Sequence, residues 1–324
     1  MSRTGSITGP RPLEQVGTAP SAVPEAIPAG SWQAWCVALR PKTFWIATIP
    51  VVVSSALALT ETGGVDLPMA ALALVASLLL QAITNLQNDV GYTARGAETG
   101  RRVGLSRATA NGWLAPVQVR RAIALAVVVT LAVGAPIIAR AGWPAALMGF
   151  ASIVAAVGYM GGPRPIAFTP LGELTVFVFF GLIAVLGNYY VQTGTVSVGA
   201  VLCAVAVGAL AAGVLAVNNH RDRTHDGDTG RRTFVVAFGT DASKRLFGAL
   251  LVLAFALVPL LAGWEHSAWF ALPLVLLPTA ATLWRDFLRT PAGSAWNALL
   301  FRTVKLELAY GLLLAAGAVI AGLR

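Results

Sequence analysis

Asp222 and Asp226 stand four residues apart in the run NNHRDRTHDGDTGRRT, residues 218–233. Residues four apart on a helix share one face, so both carboxylates would project together and could hold a hard divalent cation through oxygen. Arg221, Arg223, Arg231 and Arg232 surround them, with Asn219 alongside and Asp228 following. Carboxylates alone suit a cation, and guanidiniums alone suit an anion. Both together suit a metal-bridged phosphate, because Mg²⁺ keeps few protein ligands and shares its shell with phosphate oxygens, which arginine forks grip in pairs. Taken singly, each residue reads equally well as half of a juxtamembrane ion pair. Such pairs contribute little stability and set no spacing, so they do not explain the run as a whole.

A second stretch echoes the first. Asn85 precedes Asp89 by four residues, as Asn218 precedes Asp222. The two stretches read as a weak internal repeat, two half-sites facing each other across a bundle.

The elements that must position these residues are lipid-facing. The 324 residues are 56% hydrophobic and 11% charged, where a soluble domain carries about 25% charged residues. Apolar runs near the roughly 20 residues needed to cross a bilayer recur at about 43–60, 67–84, 119–139, 143–160, 173–193, 196–217, 244–263, 267–284 and 303–322. Backbone polar groups in hydrocarbon must be satisfied within the segment, so these runs predict helices and an all-α, polytopic membrane protein. The long inside connections, about 85–118 and 218–243, carry both motifs, and long polar loops in a compact bundle are usually functional. The outside connections are short, around Glu61 and Asp66, Gly194 and Glu265.

The net charge of +9 is explained by position. With the N-terminus inside, nearly every Arg and Lys falls on the cytoplasmic side, while Arg140 and Arg324 fall outside. That is the positive-inside asymmetry, and it needs no nucleic-acid partner. Residues 1–30, rich in Pro, Gly, Ser and Thr without an apolar core, read as a disordered tail, not a cleaved signal peptide. Residues 31–324 form the transmembrane domain. Cys36 and Cys203 read as small core residues. His220, His225 and His266 are not expected to bind metal, because a carboxylate site for Mg²⁺ prefers oxygen.

At these residues the chain resembles the UbiA superfamily of intramembrane aromatic prenyltransferases, and most closely its naphthoate-prenylating branch. The resemblance is carried by RPKTFWIATIPVV (40–52), NLQNDVGYTARGAET (85–99), YMGGPRPIAFTPLGE (159–173), the 218–233 run and WNALLFRTVKLELAYGLLLA (296–315). It implies nine transmembrane helices around a central cavity, capped by both motifs from the cytoplasmic side of a bacterial-type inner membrane. It further implies Mg²⁺, a polyprenyl diphosphate donor and an aromatic acid acceptor, 1,4-dihydroxy-2-naphthoate.

Carried over residue by residue, Asp222 and Asp226 match the metal-binding carboxylates of the second motif, with Asn219 and Arg221 beside them. Asn88 matches the first motif's Asn, and Glu98 stands where the branch usually has Asp. Tyr92 is a departure: a phenol, neutral at pH 7, replaces a principal metal ligand, with Asp89 and then Glu98 as the nearest substitutes. Arg231 and Arg232 join Arg221 as candidate diphosphate clamps. Tyr159, Phe179, Tyr189 and Tyr190 are aromatic residues of the spans, and Tyr159 is a candidate substrate contact. Arg164, in the Gly/Pro loop, is the first candidate for the acceptor's carboxylate, ahead of Arg40 and Lys42. Other aromatic acceptors (4-hydroxybenzoate, homogentisate, a tetrapyrrole) fit the superfamily as well. A transporter is disfavoured because the spans carry almost no charge away from their ends.

Overall fold

The computed structural model describes residues 27–97 and 106–323, and the regular elements among them are all helical. Ser31 caps α1 (Trp32–Leu39) by accepting the Ala34 amide at 3.2 Å. Pro41 disfavours helical backbone in the residue before it, and Arg40 leaves the helix in the left-handed region at φ 51°. A short 3-10 turn, Pro41–Thr43, then leads into α2 (Phe44–Thr62). Asp66 caps α3 (Leu67–Ala94), which is followed by α4 (Pro116–Ala141) and α5 (Trp143–Gly158). The next span is composite: α6 (Gly172–Val176), a π-helical stretch Phe177–Leu186, and α7 (Gly187–Thr193). Ser197 caps α8 (Val198–Asp228), and α9 (Phe234–Phe238) and α10 (Thr240–Trp264) follow. A 3-10 run, Ala268–Leu276, leads into α11 (Leu277–Arg289), and α12 (Ala295–Gly322) closes the described chain.

Eight helices among the described residues are long and apolar enough to span a bilayer. The ninth expected segment, α5, has 16 residues, short of the roughly 20 a span needs. Both expected inner loops also begin later than the sequence suggested. At about 1.5 Å per residue, 28-residue α3 and 31-residue α8 reach roughly 42 and 46 Å, beyond a hydrocarbon core of about 30 Å. Their last turns therefore carry residues 85–94 and 218–228 as helix. Asp222 and Asp226 thus share a face, as their spacing required. The expected tail, 1–30, falls outside the described residues except at its end, where the Gly30 amide donates to the Trp113 carbonyl at 2.7 Å.

α8 is the most enclosed span, and its Ala, Gly and Val side chains let neighbours approach closely. One such approach joins Gly181 of the π-helical stretch to Gly208. A Cβ at Gly181 would lie 2.5 Å from the Gly208 Cα, so only glycine permits this backbone-to-backbone contact. One apolar core gathers α2, α7, α8, α10 and α12 around Phe247, Trp296 and Tyr310. A second gathers α1, α3, α4 and α5 around Ile83, Leu114 and Val119. Residues from both halves line a cavity of about 980 Å³.

Candidate active site

The charged side chains that line the cavity gather at one end. Asn85 and Asn88 reach it from the last turns of α3, Asn218 and Arg221 from those of α8, and Asn297 from the start of α12, while Arg40 and Lys42 border the α1–α2 break. Tyr159, just after α5, also lines it. The remaining walls are mostly hydrocarbon, supplied by residues such as Val51, Phe179, Ile183 and Leu215. The two motifs therefore open on one hollow, as a pair of opposed half-sites requires.

The half-sites are built differently. In the second, Arg221 forks both oxygens of Asp222, at 2.7 and 2.8 Å, and also donates to Asn297 Oδ1 at 3.0 Å and Asn218 Oδ1 at 2.9 Å. Asp226, fully buried, pairs with Arg231 at 2.5 Å. Of the four side chains in these two ion pairs only Arg221 lines the cavity. Asn219 points away from the cavity and donates to Glu173 Oε1 at 3.0 Å. Arg231 donates to the Ala167 carbonyl at 3.2 Å and so ties the central loop to the motif, whereas Arg232 is exposed.

In the first half-site, Asn88 lines the cavity with a buried Oδ1 that has no hydrogen-bond partner. Asn85 is structural as well as cavity-lining: its Nδ2 donates to the Leu39 carbonyl at 2.7 Å and to Thr43 Oγ1 at 2.9 Å, bracing the α1–α2 break. Asp89, proposed from sequence as a replacement metal ligand, faces the other way. Its Oδ2 accepts the Ala108 amide at 2.8 Å, and its Oδ1 accepts the Thr109 amide at 2.8 Å and the Thr109 hydroxyl at 2.6 Å. The carboxylate is consumed in folding the 106–114 loop back onto α3. Tyr92 is buried behind the cavity wall against Arg107 and Arg231. Glu98 lies outside the described residues.

Arg164 is exposed and does not line the cavity, because the Gly161–Pro163 turn carries it outward. The weaker candidates, Arg40 and Lys42, do line it, and Lys42 Nζ sits 5.6 Å from the centre of the Phe301 ring. Sequence reasoning missed Asn297 and Glu173. Each was visible only as an isolated polar residue beside an apolar run. The histidines hold no shared ligand: His220 Nδ1 meets Ser243 Oγ at 3.0 Å among Phe287 and Trp296, and His225 Nε2 meets the Ala97 carbonyl at 2.8 Å. Burial, opposed by nearby Arg231, raises the Tyr159 phenol well above its ordinary range, so it faces the cavity as a proton donor.

Among the described residues no three His, Cys, Asp or Glu side chains converge. The oxygen donors at this end are the carboxylates of Asp222 and Asp226, each paired with an arginine and neither lining the cavity, and the amide oxygen of Asn88, which does line it without a hydrogen-bond partner. That oxygen-only, incomplete set fits Mg²⁺, which is typically held by one or two carboxylates and completes its shell with phosphate oxygens and water.

The sequence profile of the UbiA prenyltransferase family matches residues 47–306. The chain is 36% identical over 297 residues to 1,4-dihydroxy-2-naphthoate octaprenyltransferase of Escherichia coli, covering 88% of this chain and 94% of that one. It is 33% identical over 255 residues to the Mycobacterium tuberculosis protein of the same name, covering 77% and 84%. In fold it is similar to a UbiA homolog from Archaeoglobus fulgidus solved with DMAPP and Mg²⁺, with a TM-score of 0.63 and 15% identity over 87% of this chain and 99% of that one. An apo UbiA homolog from Aeropyrum pernix gives 0.65 and 17% over 86% and 98%.

Proposed function

The chain belongs to the UbiA prenyltransferase family, and from that premise we propose that it transfers a polyprenyl group from its diphosphate to 1,4-dihydroxy-2-naphthoate, at a site facing the cytoplasm. One observation carries this reading: the cavity joins a cationic, amide-rich mouth to a hydrocarbon shaft. A diphosphate head and a prenyl tail need those two environments in that order.

The donor's C1–O bond breaks with its electron pair leaving on the diphosphate. Negative charge grows there in the transition state, and groups already aimed at it are usually the largest catalytic term. Arg221 is held in place by Asn218 and Asn297, and Arg40 and Lys42 add charge from the opposite rim. Tyr159 keeps its proton and donates it in a hydrogen bond to a departing oxygen. Asp222, Asp226 and Asn88 would hold Mg²⁺, which supplies Lewis-acid charge to the phosphate oxygens. Of the two arginine–aspartate pairs, Arg221, which holds Asp222 with both its Nε and Nη2, is the guanidinium that a diphosphate at the cavity mouth would meet. The shaft excludes water from the allylic cation, so the ring carbon that bears the acceptor's carboxylate captures it, and the bond from that carbon to the carboxylate then breaks, its electron pair restoring the aromatic ring as carbon dioxide departs. Before that step the acceptor's carboxylate pairs with Arg40 or Lys42.

Purified protein in detergent, given Mg²⁺, all-trans octaprenyl diphosphate and a panel of aromatic acids, should yield a decarboxylated prenyl naphthalenediol by mass spectrometry. Lys42→Gln should raise KM for the acid by about tenfold, the loss of one charged hydrogen bond, and Arg164→Gln should leave it unchanged. Absence of any prenylated product would overturn the assignment, and solute uptake by liposomes would favour a transporter.

A further inference from the structure

We propose that the groove between α10 and α11 is a binding site for one anionic phospholipid, with the lipid phosphate on Arg245 and an acyl chain along the groove. It is a second cavity, of about 420 Å³, lined by different residues from the first. It runs along α10 from Arg245 to Phe255, roughly 15 Å at about 1.5 Å per residue. That is half of a hydrocarbon core of about 30 Å, the depth of one leaflet.

Small residues open it. Gly248 and Ala249 on α10, and Ala280 and Ala281 on α11, put little side chain between the two helices. The Trp284 ring lies across Gly248, whose Cβ would fall 2.7 Å from Trp284 Cη2. The indole therefore sits about one helical turn below Arg245, where tryptophan gathers at membrane interfaces. Below it the lining is hydrocarbon, from Val252, Phe255 and Leu277. Guanidinium, indole and hydrocarbon follow one another in the order of a phospholipid's phosphate, glycerol ester and chain.

Charge selects the occupant. Arg245 is exposed, and among the described residues it makes no ion pair or hydrogen bond. The acids of α10 and α11 are committed elsewhere: Asp241 to Lys244 at 3.2 Å, and Asp286 to Arg302 at 2.7 Å and Arg285 at 3.3 Å. No acid among the described residues lines the groove. A second copy docked here about a two-fold axis along the membrane normal would bring the same patch onto itself and face Arg245 with its equivalent at one depth. A phosphate diester supplies the charge that such a copy lacks, and basic pockets between membrane helices take such headgroups.

Purified protein in detergent is titrated with phosphatidylglycerol and phosphatidylcholine of identical chains, and bound lipid is counted by native mass spectrometry for the wild type, Arg245→Gln, Ala281→Phe and Arg289→Gln. The wild type should prefer phosphatidylglycerol, and Arg245→Gln should remove about fivefold of that preference, the weight of one basic side chain near an anionic surface. Ala281→Phe fills the groove and should lose the first lipid of either class. Arg289 is exposed at the same end but outside the groove, so Arg289→Gln should keep the wild-type preference. Glycerol phosphate, a head without chains, should not displace the lipid. Circular dichroism melting in lipid-free detergent certifies the fold of each variant, and Arg245→Gln carries the test if Ala281→Phe fails to fold. Equal preference in wild type and Arg245→Gln, an equal loss in Arg289→Gln, or displacement by glycerol phosphate would each overturn the proposal. A dimer that Ala281→Phe breaks without altering lipid preference would overturn it too and assign the groove to a second copy.

Discussion

The guanidinium carbon of Arg107 lies 3.5 Å from the centre of the Tyr92 ring, and that of Arg231 lies 4.9 Å from it. The family resemblance leads one to expect aspartate at this position. The phenol instead presents π-density to two cations, each contact contributing about 0.5–2 kcal/mol. It holds two arginines in one small region without neutralising either. Tyr92→Phe should therefore unfold within about 1 kcal/mol of wild type in detergent, and Tyr92→Leu should lose roughly 1–3 kcal/mol. Tyr92→Asp places a carboxylate between the same cations, relieves Asp226 of part of its hold on Arg231, and should retain or raise turnover. Loss of turnover in Tyr92→Asp, with thermal stability unchanged, would show that the ring itself is needed at the site.

Asp89 and Asp222 come from matching positions of the two half-repeats, yet their oxygens are committed to different partners. Asp89 gives all its acceptors to backbone and hydroxyl donors of the 106–114 loop. Asp89→Asn should cost about 2–4 kcal/mol through the lost charge-assisted bonds, while turnover per folded molecule stays within a few-fold. Asp222→Asn leaves Arg221 supported by Asn218 and Asn297, so the fold should persist and turnover should fall by about a hundredfold or more. Asp226→Asn should follow Asp222→Asn. Thermal unfolding paired with turnover separates the two classes, and equal turnover in Asp89→Asn and Asp222→Asn would contradict the division.

What the sequence made legible follows the range of the forces involved. A four-residue spacing is local helix geometry and puts Asp222 and Asp226 on one face of α8, but each carboxylate is held by a different arginine. Asp89 could not be distinguished from Asn88 by the same reasoning. The direction α3 turns each residue is decided by Ala108 and Thr109, some twenty positions later in the chain. Arg164 was misplaced because a Gly/Pro turn reads alike whether it faces the cavity or solvent. Lys42 and Asn297, at the polar-mouth ends of their helices, resembled ordinary topology and capping residues. The π-helical stretch FVFFGLIAVL shows no pattern a uniform apolar helix would lack. It packs against α8 through Gly181 and Gly208, a contact between residues that only the assembled bundle brings together.

At the opposite end of the bundle from the polar mouth, Glu265 follows α10 and meets Glu61 of α2. Burial, and then the neighbouring Glu61 charge and hydrogen bond, raise the Glu265 carboxyl from 4.5 to about 7. The groups facing the pair are Tyr189 and Ser197, whose hydroxyls both donate to Glu61, and Cys203 beneath. A folded pKa above the unfolded value means the folded chain holds its proton more tightly. The stability this contributes is fully present below about pH 4.5 and is lost as pH rises through about 7. Glu265 is partly exposed, so solvent screening limits the effect to roughly 1–2 kcal/mol. Wild-type protein should accordingly lose a few degrees of Tm between pH 5 and 8 relative to Glu265→Gln, whose amide can still bond Glu61 but carries no charge. Identical pH slopes for the two proteins would mean that the carboxyls do not share a proton, and that Tyr189 and Ser197 alone join α2, α7 and α8 at this end.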